Sequence, residues 1–419
     1  MTQPTSILDE LAWRGLLHQN TEGLAEAFAA RSVSAYCGFD PTASSMHVGN
    51  LIPVMGLMHL QRGGHTPVIV VGGGTGMIGD PSGKTVERQL NTPEVVAENT
   101  KALRRQLEKF LDFSGEHAAL LRDNADWLAP LGAIDFMRDV GKHFTINYMM
   151  QKDSVQSRLD SGMSYTEFSY MLLQAYDFRE LFRRDGVTLQ VGGSDQWGNI
   201  TAGLELIRRT DGGEAHAMTF PLVTNSSGAK FGKTESGSVW LDPERTSPYK
   251  FYQFWVNVED KDAGRFLRYF TLHSRDEIEA LERETADRPQ DRTAQQALAR
   301  EVTTRVHGSE PAKVAEEVSR ILFAKGEPAT LSSDALKVLS EEVPFATMRS
   351  FSSVVDALVE LKIATSKGAA RRLVEQGGVS VNGRKVTDPA ASAGTPLAGD
   401  YYLIKKGARD FGLIRVRAS

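Results

Sequence analysis

Two short motifs carry residue types that could act on a nucleotide. In His47-Val48-Gly49-Asn50 an imidazole and an amide flank a glycine, at the junction of a loop and an apolar-periodic helix. A helix N-terminus offers free backbone N–H groups and partial positive charge, both suited to phosphate oxygens. Gly49 would let an adenine or ribose approach the backbone closely, and His47 adds a donor where charge accumulates. Alone, the motif fits a capping histidine about as well. The second motif, Lys230-Phe231-Gly232-Lys233-Thr234, lies between Ser226-Ser227-Gly228 and Glu235-Ser236-Gly237. Two lysines three apart, with a glycine between them and a hydroxyl after, can wrap a leaving pyrophosphate. Displacement at phosphorus relies on positioning and charge stabilisation, so no nucleophile or general base is required. Alone, this motif reads as an exposed basic loop. Together, in this order, the pair describes a site that grips ATP from both ends.

The elements between the motifs must position them. Residues 1–32 read as mostly helical, with Leu8, Leu11, Ala12 and Leu16 at helical spacing. Val33 to Phe39 is strand-like and stops at Asp40-Pro41. Val48, Leu51, Ile52 and Met55 then predict a helix ending near Gly63-Gly64. Further apolar runs, Pro67 to Val71 and Val187 to Val191, each enter a glycine-containing loop. After Gly192-Gly193-Ser194-Asp195 a helix passes through Leu204 to Ile207. Repeated strand–loop–helix units imply an α/β fold with a Rossmann-type parallel sheet over residues 1–245, ligands sitting beyond the carboxyl ends of the strands. Residues 246–343 turn to charged helical sequence, with Ile278 and Leu281 three apart and Ala294, Leu298 and Val302 repeating every four. Residues 344–352 read as a linker, and 353–419 as a small α+β domain with a helix from Val354 to Leu361 and a hairpin turning at Asn382-Gly383.

Two lures fail. Gly74-Thr75-Gly76-Met77-Ile78-Gly79 matches G-x-G-x-x-G, but it continues into Asp80-Pro81-Ser82-Gly83 and not into a helix that could hold a pyrophosphate. Gly83-Lys84-Thr85 resembles the end of a P-loop, yet its required first glycine falls on Ile78.

Composition bounds the remainder. At 419 residues the chain suggests two or three domains, and 41% hydrophobic with 24% charged residues argues against global disorder. No apolar run reaches about 18 residues, so a membrane span is not expected. The first residues lack a secretory pattern, and the single Cys37 excludes an intrachain disulfide or a multi-cysteine zinc site. A cytoplasmic protein is expected. Residues 351–419 hold eleven Lys and Arg against six Asp and Glu, a charge of +5, whereas the whole chain is at −5 and residues 1–350 therefore at −10. A basic tail on an acidic body suggests contact with a polyanion.

The two motifs are similar to the HIGH and KMSKS signatures of class I aminoacyl-tRNA synthetases. Tyr36-Cys37-Gly38-Phe39-Asp40-Pro41-Thr42, Gly79 to Lys84 and Gly193-Ser194-Asp195-Gln196 resemble the bacterial tyrosyl-tRNA synthetases, over nearly all of the chain. Asn50 stands where HIGH has its second histidine, and Phe-Gly replaces Met-Ser in the second signature, which ends in Thr234. The resemblance implies that Tyr36 and Asp177 bind the phenolic hydroxyl of tyrosine, and that Asp80, Tyr170 and Gln174 hold its α-ammonium. Asp40 and Gln196 would line the reacting region and Gln190 the pocket floor. Gly38, Gly49, Asn50, Gly193 and Asp195 would contact ATP, with Cys37 near the ribose. Thr42, His47, Lys84, Arg88, Lys230, Lys233 and Thr234 would stabilise the triphosphate in the transition state. Tyr170, Gln174 and Asp177 fall at i, i+4, i+7, so one helix can present all three.

The implied reaction joins L-tyrosine to ATP as an adenylate, then passes the tyrosyl group to the terminal adenosine of tRNA(Tyr). Magnesium would accompany ATP, with no protein-bound metal. The family is homodimeric, with residues 246–343 on the anticodon side of the tRNA. The tail resembles a small RNA-binding module of a ribosomal small-subunit protein and of pseudouridine synthases. Lys367 and Arg371 lie one turn apart with Arg372 beside them; Ala369, Ala370 and Leu373 face the other way, and Arg384 and Lys385 follow the hairpin turn. A tryptophanyl-tRNA synthetase, a non-catalytic RNA-binding protein on the same scaffold and a small-molecule nucleotidyltransferase are the rival readings.

Overall fold

The computed structural model describes residues 6–82, 90–158, 162–226, 228, 231–234, 237–323, 326–391, 394–407 and 410–417, with only the backbone of Lys233 and Thr234. Two compact units divide it: Met1–Arg245 with Val258–Leu298, and Thr246–Asn257 with Ala299–Ser419. Residues 258–298, read in sequence with the helical segment 246–343, thus group with the first unit.

The first unit opens with α1 (Ile7–Arg14), β1 (Gln19–Asn20) and α2 (Leu24–Ala30). The described part of residues 1–32 is mostly helical, as read, with β1 between the two helices; a two-residue strand is too short to show alternation. β2 (Ser34–Phe39), α3 (Leu51–Arg62), β3 (Thr66–Val71), α4 (Pro93–Leu107) and β4 (Leu120–Asp123) follow. Four short helices come next: α5 (Ala125–Leu128), α6 (Ala133–Asp139), α7 (Ile146–Met150) and α8 (Asp153–Gln156). The long α9 (Tyr165–Asp185) leads to β5 (Leu189–Gly193), α10 (Trp197–Asp211) and β6 (His216–Phe220).

The sheet order is β1-β6-β5-β2-β3-β4, with β1 antiparallel and the other pairings parallel. Strands covered on both faces read as continuous apolar runs, which is why β2, β3 and β5 are legible. β6 is buried throughout, but His216 and Thr219 interrupt its apolar lettering. Chain order reverses direction between β2 and β5, the topological switch point where such sheets open a crevice. Ser164 accepts from Glu167 N to start α9, and Gly186, at φ 64°, ends it. A two-stranded ribbon, β7 (Lys233–Thr234) with β8 (Gly237–Ser238), and the helices α12 (Asp260–Phe270) and α13 (Arg275–Asp287) complete this unit.

The second unit contains α11 (Pro248–Val256), the end of α14 (Thr293–His307), α15 (Ser309–Phe323), α16 (Ser333–Glu342), β9 (Phe345–Met348), α17 (Val354–Glu360) and α18 (Lys367–Glu375). It ends in β10 (Val379–Val381), β11 (Arg384–Val386), β12 (Tyr401–Lys406) and β13 (Asp410–Val416). The sheet order is β11-β10-β12-β13-β9, with β9 parallel to β13. The segment read as a linker therefore carries an edge strand. Val354, Leu358, Ala370, Val374, Ile404 and Ile414 share one core. Asn382 (φ 49°) and Gly383 (φ 81°) both adopt the left-handed conformation that a two-residue hairpin turn demands.

Candidate active site

A cleft of about 380 Å³ opens at the carboxyl ends of β2 and β5. Tyr36, Gly38, Asp40, Thr42, His47, Gly49, Asn50, Asp80, Tyr170, Gln174, Asp177, Gln190, Gly193, Asp195 and Gln196 all line it, as does Cys37. Lys84, Arg88 and Lys230 lie outside the described residues, as do the side chains of Lys233 and Thr234.

At its inner end α9 presents Asp177, which is 4% exposed. One carboxylate oxygen accepts from Trp127 Nε1 at 2.7 Å and the other from Asn124 Nδ2 at 2.9 Å. Burial pushes this carboxyl up to about 7, against the pull of those two donors. Tyr36 is 1% exposed, and its hydroxyl has no hydrogen-bond partner among the described residues. Burial, then the Asp177 charge, holds its phenol well above the ordinary range, so it stays an O–H donor. A buried donor and a buried acceptor at the end of a cavity are suited to a ligand hydroxyl, which can accept from one and donate to the other. Because such a hydroxyl donates to the ionised carboxyl, affinity for a phenolic ligand should weaken as pH falls through about 7. Titrating binding of such a ligand between pH 6 and 8 checks this; a flat profile contradicts it, and Asp177→Asn should abolish the dependence.

Midway along the cleft two carboxylates face inward. Asp40 Oδ2 accepts from Tyr170 Oη at 2.8 Å and Oδ1 from Thr75 Oγ1 at 2.7 Å. Asp80 Oδ2 accepts from Gln196 Nε2 at 2.7 Å, and Asn199 Nδ2 lies 3.1 Å from Gln174 Oε1. The negative charge gathered here, with amide and phenol groups around it, suits an ammonium. Gln190 is 2% exposed and its Oε1 is unpartnered among the described residues. Cys37 is pushed up to about 12 by burial and remains a thiol.

The outer end holds the first signature. His47 Nδ1 accepts from Gly49 N at 3.0 Å and Asn50 Oδ1 from His47 N at 3.0 Å, a reciprocal cap on the turn Val48–Asn50. The imidazole also stands against Trp240, ring centroids 6.1 Å apart. From the second signature Phe231 is buried between Phe266 and Phe270 of α12, at centroid distances of 4.7 and 5.3 Å. Gly232, at φ 80°, passes so close to the first signature that a Cβ there would lie 2.5 Å from Val48 Cγ2. The two signatures touch, and the Phe-Gly departure makes the contact.

Thr75, Asn124, Trp127, Asn199 and Trp240 escaped the sequence reading. Asn124 and Trp127 follow a half-buried four-residue strand, and nothing local in one sequence marks them as partners of Asp177. In the tail, Lys367, Arg371, Arg372, Arg384 and Lys385 are exposed, and Lys367 pairs with Asp356 at 2.7 Å. Ala370 is buried, Ala369 and Leu373 only partly, and Val374 supplies the rest of the inward face.

The family described as tRNA synthetases class I (W and Y) matches residues 29–324, and the Tyrosine--tRNA ligase SYY-like C-terminal domain matches 335–414. The Tyrosine--tRNA ligase of Roseiflexus castenholzii is 54% identical, over 98% of this chain and 100% of its own. That of Geobacillus stearothermophilus is 49% identical, over 98% and 99%. The crystal structure of a C-terminally truncated mitochondrial tyrosyl-tRNA synthetase from Aspergillus nidulans aligns at a TM-score of 0.71 and 30% identity, covering 77% of this chain and 95% of that one. By these near-full-length identities and both family matches, the chain belongs to the tyrosine–tRNA ligase family of class I tRNA synthetases.

Proposed function

We infer that the chain activates L-tyrosine with ATP and transfers the tyrosyl group to the 3′-terminal adenosine of tRNA(Tyr). The observation that carries the reading is the inner end of the cleft, where the Tyr36 hydroxyl and the doubly held Asp177 carboxylate are buried together. The tyrosine phenol donates to Asp177 and accepts from Tyr36, while its ammonium sits among Asp80, Tyr170 and Gln174. The tyrosine carboxylate, beside Asp40 and Gln196, attacks the α-phosphorus of ATP. A C–O–P bond forms, the bond to pyrophosphate breaks, and the leaving electrons stay on pyrophosphate. Gly38, Gly49, Asn50, Gly193 and Asp195 place the nucleotide. Thr42 and His47, with Lys84, Arg88, Lys230, Lys233 and Thr234, meet the charge that builds on the phosphates.

Magnesium enters as part of the ATP substrate, held by phosphate oxygens and water. The tail cations Lys367, Arg371, Arg372, Arg384 and Lys385 meet the RNA backbone, and residues 246–343 the anticodon side. Ile134, Met137, Ile146 and Tyr165 are 54–74% exposed within one stretch of the first unit, which supports a homodimer formed there. We place the reaction in the cytoplasm; no helix among the described residues is long and apolar enough to cross a membrane.

Amino-acid-dependent exchange of labelled pyrophosphate into ATP tests the reading. Exchange with tyrosine alone is expected. Exchange with tryptophan would favour the rival within the class, and none with any amino acid would remove the enzymatic reading.

A further inference from the structure

Residues 40–47 join β2 to the first signature without forming a helix or strand, yet they carry Thr42 and His47. Two amides on one face of α4 hold this loop at both ends. Asn99 and Gln106 lie seven residues apart, about two helical turns. Asn99, 7% exposed, donates from Nδ2 to Pro41 O at 3.0 Å. Gln106 uses both ends of its amide: Oε1 accepts from Met46 N at 2.8 Å, and Nε2 donates to Ser45 Oγ at 3.0 Å.

Ser45 extends the grip. Its hydroxyl donates to Met46 O at 2.7 Å and also accepts from Asp242 N at 3.2 Å. A hydroxyl has one proton and two lone pairs, so this one is saturated. Met46 O accepts again from Leu241 N at 2.9 Å, and Val48 N donates to Val239 O at 3.0 Å. Residues 46–48 thus run as a short ribbon against 239–241, with His47 opposite Trp240. Val239 N in turn donates to Gly232 O at 3.0 Å, which brings the connection into the second signature. Ser45 and Met46 are 4% and 3% exposed, so water is poorly placed to replace a lost partner.

We propose that Gln106, which does not line the cleft, is a positioning residue for adenylate formation: through Ser45 and Met46 it sets where His47 stands and couples the first signature to the segment leaving the second. The inference rests on the cleft being the site of tyrosine activation. Wild-type exchange tests that reading independently of any Gln106 variant.

Gln106→Met keeps the length and removes both hydrogen bonds. It should slow single-turnover tyrosyl-adenylate formation about 10- to 100-fold, the scale of a catalytic group displaced by about an ångström. Equilibrium tyrosine affinity should stay within about twofold, because Tyr36, Asp177 and Asp80 are not held by this network. Gln106→Glu keeps the acceptor for Met46 N and loses the donor to Ser45, so its rate should fall between Met and wild type. In a His47→Ala background, Gln106→Met should cost no more than about twofold further, since both act through one group. An unchanged rate in Gln106→Met, a parallel loss of tyrosine affinity, or full multiplication of the effect in the His47→Ala background would each overturn the proposal. If Gln106→Met fails to fold, the same measurements on Gln106→Glu decide it.

Discussion

Asp177→Asn should lose about a hundredfold or more in kcat/KM for tyrosine, although the substitution is nearly isosteric. Both oxygens of the native carboxylate are engaged, one by Trp127 Nε1 and the other by Asn124 Nδ2. An amide has only one acceptor, so its NH2 must point at one of these buried donors. The mispaired donor burdens the free and the occupied site alike and lowers stability, whereas the loss in kcat/KM comes from the substrate hydroxyl, whose hydrogen bond to a charged group contributes about 1.5–3 kcal/mol. The expected loss of about 3 kcal/mol is about a hundredfold in kcat/KM. Phenylalanine makes no hydrogen bond at this end, so its weak activation should change only a few-fold and discrimination should collapse from the tyrosine side. Pyrophosphate exchange with each amino acid measures both values. Tyrosine activation within about fivefold of wild type would refute the assignment.

Gly232→Ala should slow adenylate formation about a hundredfold while leaving tyrosine affinity within about twofold. The φ of 80° at Gly232 is left-handed, a conformation that costs an L-residue about 1–2 kcal/mol. The added methyl would also sit 2.5 Å from Val48 Cγ2, so one signature must back away from the other. Lys233 is the next residue, and its charge matters only if it reaches the leaving pyrophosphate. The proposed tyrosine contacts, Tyr36 and Asp177, are not among the groups that Gly232 meets, so tyrosine affinity should hold. Removing the opposing methyls with Val48→Ala should restore part of the rate. Equal losses of rate and tyrosine affinity in Gly232→Ala, or no loss at all, would contradict the contact's role.

Much of this site was legible along the chain. His47 to Asn50 and Tyr36 to Thr42 are local motifs, and Tyr170, Gln174 and Asp177 fall at the spacing of one helix face, whereas Lys230 and the side chains of Lys233 and Thr234 lie outside the described residues. β2, β3 and β5 stood out because strands buried on both faces are written as apolar runs. β1, β6 and β9 did not, being very short, interrupted by buried polar residues, or weakly alternating at an edge. The partners of the site residues were also invisible. Asn124 and Trp127 are about fifty positions from Asp177, and Gln106 about sixty from Met46.

The family resemblance paired Tyr36 with Asp177 as a hydroxyl site; residue type and spacing alone pointed to two candidate nucleotide-binding motifs and a basic tail. That information is local, since a motif needs only neighbours in the chain to set residue type and spacing. Tertiary structure decided the state of those groups. Burial, not residue type, pushes the Asp177 carboxyl up to about 7, against the pull of its two donors. The two signatures are about 180 positions apart, and only folding brings Gly232 against Val48 and Val239 against Gly232. Packing and desolvation arise between distant segments, and so do the contacts that hold the opening pair of motifs in register.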